Sequence, residues 1–167
     1  MTPSTLTSVE EYLRTSYPDG DREYVDGEVI ERNMGEVDHG DLQTAIASYV
    51  RVHYPELWAA VEIRVQVSRT RFRVPDVTIV AGRKPSSRIV ITPPHVAVEV
   101  LSPEDRATYV QKKIDDYLAF GIPYVWIIDP ESRNAWIHTK QGSYPVRDGF
   151  LRAENPEIAV PLAELFA

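Results

Sequence analysis

His95-Val-Ala-Val-Glu-Val-Leu-Ser-Pro-Glu104 is the stretch that decides the fold. Val96, Ala97, Val98, Val100 and Leu101 make a near-continuous apolar run, as expected of a strand buried on both faces near the middle of a sheet. Ser102-Pro103 breaks the run. Glu99 does not fit it. A carboxylate in such a place costs several kcal/mol unless it is paired, hydrogen-bonded or bound to a metal.

A second acid breaks an apolar stretch upstream. Asp76 stands between Val74-Pro75 and Val77-Thr-Ile-Val80, 23 positions before Glu99. The pattern predicts a strand over Arg71–Val80, so the two acids lie on consecutive strands and can meet across a sheet. Close together and unpaired they repel, and one takes up a proton. A divalent cation between them removes that conflict, and oxygen ligands suit magnesium or manganese. The competing reading ends one strand in solvent and pairs the other acid with arginine.

Downstream, Val110, Ile114, Tyr117 and Leu118 form one stripe of a helix predicted over about 105–120, with Gly121 as its stop. At roughly 100° per residue, Lys112 points away from the stripe. Gln111 and Lys113 flank it, where a side chain can curl toward the sheet and the end of the Glu99 strand. The alternative for Lys113 is a surface position with its stem on the core.

Elsewhere, Thr7-Ser-Val-Glu10 resembles a capping box, predicting a helix over about 8–16. Tyr17-Pro-Asp-Gly20 reads as a turn, and Asp26-Gly27 as the centre of a hairpin. Leu42, Ala45, Ile46, Tyr49 and Val50 predict a helix over 38–52. Val61–Ser68 alternates strictly and predicts one half-buried strand. Tyr124–Ile128 reads as another buried strand with a hairpin partner over Asn134–Thr139, and the tail as a last helical turn or two. Helices, a hairpin and strands in this order predict one α/β or α+β domain over 1–167, a mixed sheet flanked by helices.

Composition narrows the function classes. The 167 residues are 43% hydrophobic and 26% charged, with no cysteine, so disulfides, thiol nucleophiles and cysteine zinc sites are excluded. The four histidines are scattered without ligand spacing, and no Gly-x-Ser-x-Gly elbow or phosphate-binding glycine loop occurs. No signal-peptide pattern or membrane span is evident, and a cytoplasmic protein is expected. Net charge is −7, against nonspecific coating of nucleic acid. The charge is uneven: residues 1–41 hold eleven acids against three arginines, whereas residues 64–88 hold seven bases and one acid. A local basic surface and an ordinary solvated face both account for the second block.

Pro75-Asp76 followed by Glu99-Val-Leu101 resembles the PD-(D/E)XK nuclease superfamily. REYVDGE, Asp38-His39-Gly40, VPDVTIV, VAVEVLSPEDR and QKKIDDYLAFGIPYVWIIDP together resemble, more narrowly, the Uma-two family of restriction-endonuclease-like proteins. The resemblance covers most of the chain. It implies a restriction-endonuclease-like core, with Asp76, Glu99 and the Val100 carbonyl as ligands of magnesium or manganese. The superfamily lysine would fall at Leu101 and is absent there. The family instead carries a lysine on the next helix, four before a tyrosine, which here is Lys113 before Tyr117. Many relatives carry an aspartate where this chain has Tyr109. Glu23 matches a family position as a further metal-site acid, or makes a hairpin salt bridge. His39 matches one as a phosphate or water contact, or caps a helix. Gln111 completes the candidates.

The function implied is metal-dependent endonucleolytic hydrolysis of nucleic acid, with DNA the expected partner and a homodimer the expected assembly. Two other readings stand beside it. One is a catalytically inactive nucleic-acid- or protein-binding module of the same fold. The other is a structural homo-oligomer joined through Leu162, Leu165 and Phe166.

Overall fold

The computed structural model describes residues 5–18, 20–33 and 35–167. The Tyr17–Gly20 turn includes Asp19, which lies outside them. Helix α1 (Val9–Arg14) starts one residue later than the capping-box reading: Ser8 is the cap, and its hydroxyl accepts from the Glu11 amide at 3.1 Å. Strands β1 (Glu23–Val25) and β2 (Glu28–Ile30) form the expected hairpin. Asp26 and Gly27 both adopt positive φ there, at 50° and 101°, as a tight hairpin turn matching strand twist requires. Helix α2 (Val37–His53) follows, burying Leu42, Ile46 and Val50.

The predicted strand over Val61–Ser68 is two strands in two sheets. β3 (Leu57–Val61) ends where Glu62 turns to φ 51°, and β4 (Val65–Ser68) begins beyond it. The predicted strand over Arg71–Val80 divides in the same way, into β5 (Arg71–Arg73) and β6 (Val77–Ala81). Pro75 lies in the gap, where it removes a ladder donor. The alternation holds only over β4, where Val65 and Val67 are buried; Val61 is 42% exposed, and the change of sheet between them is one that periodicity does not mark.

β7 (Val96–Val100) is buried along its whole length. Helix α3 (Ala107–Phe120) ends at Gly121, whose φ of 106° is the left-handed stop. β8 (Tyr124–Ile128) and β9 (Ala135–Thr139) match expectation. Then come β10 (Gly142–Pro145), β11 (Phe150–Ala153), β12 (Ile158–Pro161) and α4 (Leu162–Leu165), of which only the last was expected.

Among the described residues a six-stranded sheet runs β10-β9-β8-β7-β6-β3, a four-stranded sheet β2-β1-β5-β4, and β11 pairs β12. β7 lies parallel to β8 and antiparallel to β6. Its two faces bury different layers. Val96, Val98 and Val100 join Trp126 and Ile128 against the α2 side, while Ala97 joins Val125 and Ile127 against Ile114 and Tyr117 of α3. Glu99 shares the Ala97 parity and so faces α3. The mixed sheet flanked by helices is as expected. No helix among the described residues is long and apolar enough to cross a membrane.

Gly121 fixes where α3 ends, its amide donating to the Leu118 carbonyl. A Cβ at this position would adopt strained backbone and approach Pro93 to 3.4 Å. Gly121→Ala is expected to lower stability by about 1–2 kcal/mol, read as a lower urea midpoint at unchanged slope.

Candidate active site

The chain crosses between the two sheets twice, at Glu62 and at Val74-Pro75-Asp76. The crossings touch, the Glu62 amide donating to the Asp76 carbonyl at 3.3 Å. The Asp76 carbonyl also accepts from Gln43 Nε2 of α2 at 2.9 Å. Asp76 lies one step beyond the last paired residues of β6 and β7, Val77 and Val98, so the register carries it opposite Glu99. That is the physical meaning of their spacing. Between them and the start of α3 opens a cleft of about 410 Å³, whose walls include Arg32, His39, Asp76, Glu99, Tyr109 and Lys113.

Each acid is held from several sides. Asp76 Oδ2 accepts from the Val100 amide at 2.7 Å, so the sheet itself orients the carboxylate. Asp76 Oδ1 lies 2.9 Å from Arg32 Nη2 and 3.2 Å from His39 Nε2. Burial would raise the Asp76 pKa, but the His39 hydrogen bond and the charges of Lys113, His39 and Arg32 outweigh it and hold the carboxyl below its usual range. Glu99 Oε2 accepts from Lys113 Nζ at 2.7 Å, and its Oε1 takes the Tyr117 hydroxyl. Burial pushes the Glu99 carboxyl up to about 7; Asp76 and Glu23 add to the rise and Lys113 opposes it.

Lys113 is 7% exposed and reaches back from α3 between two acids, with Glu23 Oε1 at 3.0 Å on its other side. Burial works against its charge, but Glu23, Glu99 and Asp76 prevail and raise its pKa above that of a free lysine. It is an ammonium at neutral pH. Lys113 and Tyr117 are four apart, so one helical face delivers both to Glu99. Behind Lys113, Glu23 Oε2 meets Arg73 Nη1 at 3.2 Å, and Arg73 Nη2 meets Asp116 Oδ2 at 2.8 Å.

Asp76, Glu99, Lys113, His39 and Val100 therefore gather at one place. Glu23 reaches the cluster from behind, 1% exposed, as the partner of Lys113 and Arg73. Gln111 does not join. It is exposed on the other flank of α3 and donates to Asp115 at 2.9 Å. Tyr109 lines the cleft, and its hydroxyl accepts from Arg73 Nη1 at 3.2 Å.

Three of the seven bases in 64–88 are taken up by acids, while Arg69, Arg83, Lys84 and Arg88 stay exposed. Arg64 pairs with Asp21, Arg71 with Asp26 and Asp116, and Arg73 with Glu23 and Asp116. Part of the charge asymmetry is the two blocks neutralising one another.

A family model described as "Putative restriction endonuclease" (Uma2) matches residues 9–165. The chain belongs to the Uma2 family. A crystal structure described as that of "a putative nuclease belonging to DUF820" from Anabaena variabilis matches it with a TM-score of 0.78. The two are 22% identical, over 96% of this chain and 97% of that one. At that identity the likeness establishes a shared fold. No curated protein matches.

Sequence reading of this Uma2 member missed Arg32, Arg73 and Asp116 as members of the cluster. Arg73 carried the same signal as Glu99, a charge in an apolar strand between Phe72 and Val74. Arg32 carried none, being 44 positions from Asp76 in an irregular segment.

Removing the ammonium leaves Glu23 and Glu99 buried without it. Lys113→Met is expected to cost about 3–5 kcal/mol at pH 8. Glu99 has a folded-state pKa raised above its unfolded value, so its proton stabilises the fold below that value and is lost as pH rises through about 7. The penalty in Lys113→Met should accordingly shrink toward pH 5.5, as protonation removes one of the two charges. Urea melts at both pH values measure this.

Proposed function

We propose that this chain is a magnesium- or manganese-dependent endonuclease that hydrolyses phosphodiester bonds of DNA. The observation that carries the reading is the convergence of Asp76, Glu99 and Lys113, from three separate elements, on one open cleft. The donor set suits such a cation. Asp76 and Glu99 offer hard carboxylate oxygens, and the Val100 carbonyl stands beside them as a third candidate. Among the described residues no three His, Asp or Glu side chains gather to hold a metal alone. Magnesium is commonly held by one or two carboxylates, with water and substrate phosphate supplying the rest.

When bound, the cation would lower the pKa of a water and neutralise charge on the pentavalent phosphate. The chain's own residues do the remainder. Lys113 stays charged between Glu23 and Glu99, so it orients the attacking water and offsets developing phosphate charge; it is not the base. Tyr117 fixes the Glu99 carboxylate against rotation. His39, whose pKa is raised first by its hydrogen bond to Asp76, presents a proton donor at the cleft wall. Gln43 and the Val100 amide lock the backbone and side chain of Asp76.

A second reading is favoured by one observation: both oxygens of Asp76 and of Glu99 already have protein partners. A binding module with a relic site would look this way. Cleavage of plasmid and linear duplex DNA with manganese separates the two. The nuclease reading expects cleavage that falls to background in Asp76→Asn and Glu99→Gln, and about 10²–10³-fold in Lys113→Ala. Full activity in a rigorously purified Asp76→Asn protein would overturn it. The affinity for manganese should rise from pH 6 to 8, because burial raises the Glu99 carboxyl and Glu99 must release its proton to bind a cation. An affinity unchanged over that range would count against Glu99 as ligand.

A further inference from the structure

Arg32 lies in the segment leading from β2 to α2. Its neighbour Asn33 donates through Nδ2 to Asp105 Oδ1 at 2.8 Å and to Ser102 Oγ at 3.3 Å. Those partners belong to the turn between β7 and α3, so the segment is fastened across the cleft. Arg32 itself is held by Asp76 Oδ1 at 2.9 Å and, more loosely, by Glu62 Oε1 at 3.6 Å. Its side chain is only 16% exposed.

The two oxygens of Asp76 have different freedom. Oδ2 is committed to the Val100 amide of the sheet. Oδ1 remains, and the Arg32 guanidinium at 2.9 Å and the His39 ring at 3.2 Å already stand on it; of the two, Arg32 carries the permanent charge. A divalent cation drawing on Oδ1 would meet that positive charge at contact distance, beside a carboxylate whose own side chain is only 3% exposed. Arg32 and a cation on Oδ1 therefore exclude one another. The displaced guanidinium keeps only its looser contact with the half-exposed Glu62, at 3.6 Å, and is free to take a second anion. A phosphodiester is the anion that suits it: two oxygens in a plane match the fork of an arginine.

We propose that Arg32 is the exchangeable counter-ion of Asp76: it yields Oδ1 to the divalent cation and passes to the phosphodiester, so that cation and nucleic acid bind cooperatively. This rests on the metal-site reading above. In the resting protein Arg32 suppresses futile metal uptake. With substrate present, the same charge grips the phosphate. By linkage, the factor by which nucleic acid tightens the cation is the factor by which the cation tightens nucleic acid.

The test is calorimetric titration of manganese into the full chain as wild type, Arg32→Gln, Arg32→Lys and Asp76→Asn. It is paired with binding of a phosphorothioate duplex, which resists cleavage, with and without manganese. Arg32→Gln is expected to bind manganese at least about tenfold tighter than wild type when no DNA is present. Without metal, Arg32→Gln and wild type should bind the duplex alike, because Arg32 is engaged by Asp76. With manganese, Arg32→Gln should bind it about tenfold more weakly. Arg32→Lys keeps the charge and should take up manganese much as wild type does, while losing part of the duplex affinity through its lost fork. Equal manganese affinity in wild type and Arg32→Gln, with loss in Asp76→Asn, would overturn the counter-ion role and leave the metal site standing. No manganese binding in any of them, or binding indifferent to Asp76→Asn, would overturn the metal site and the proposal with it.

Discussion

Lys113 sits between Glu23 and Glu99, at 3.0 and 2.7 Å, inside a protein. Three charges in so small a buried volume are expensive to desolvate, and the surrounding structure is arranged to make them tolerable. Arg73 closes the back of Glu23 and is itself closed by Asp116. Arg71 meets Asp116 from the other side and continues outward to Asp26 at the hairpin turn. The chain of alternating charge thus runs from the buried lysine to the exposed edge of the small sheet. It ties that sheet, α3 and the central strand β7 into one unit. An isolated pair would not do this. The desolvation cost is offset because Lys113, Glu23, Arg73 and Asp116 each meet more than one partner of opposite charge.

This network changes the meaning of the net charge. A total of −7, with an acidic amino-terminal block and a basic middle, suggests two surfaces of opposite sign. Instead three acids of the hairpin segment, Asp21, Glu23 and Asp26, cancel Arg64, Arg73 and Arg71 internally. Arginine suits that task, because its planar fork reaches two carboxylates at once. What is left for a polyanion to meet at the cleft is a smaller set of cations there, Arg32, Arg106, Lys112 and Lys113, of which Arg32 and Lys113 are already engaged by acids. A site built this way discriminates by geometry more than by bulk attraction.

The parts of this arrangement legible in the sequence were those encoded by local contrast. Glu99 and Asp76 stood out because a carboxylate among β-branched residues has no cheap explanation. Lys113 emerged from its place on the flank of an apolar stripe. β8 and its partner β9 followed from a short apolar run and a turn. The change of sheet at Glu62 and at Pro75 was not legible, since alternation continues through Val61–Ser68 whichever sheet each half joins. Nor were β10, β11 and β12. Their pattern is weak because only Leu151, Ala153, Ile158 and Val160 among them are buried. Gln111 shows the limit of a helical wheel. It flanked the stripe as Lys113 did, but the strand end that carries Glu99 lies on only one side of α3.

The position of the lysine follows from the same constraint. Leu101 lies two residues after Glu99, the place where a strand-borne lysine would stand, and here it is apolar and packs with the α3 layer. A lysine on the strand would come to the acid alone. On α3 it arrives with Tyr117 one turn away, and within reach of Glu23 on the small sheet. The helix therefore supplies the cation, the hydroxyl that orients Glu99, and the link to a second acid in one rigid piece. The cost is that α3 must be placed accurately on the sheet. Gly121 at its end, Ile114 and Tyr117 in the layer beneath, and the Arg73–Asp116 pair at its side together provide that placement.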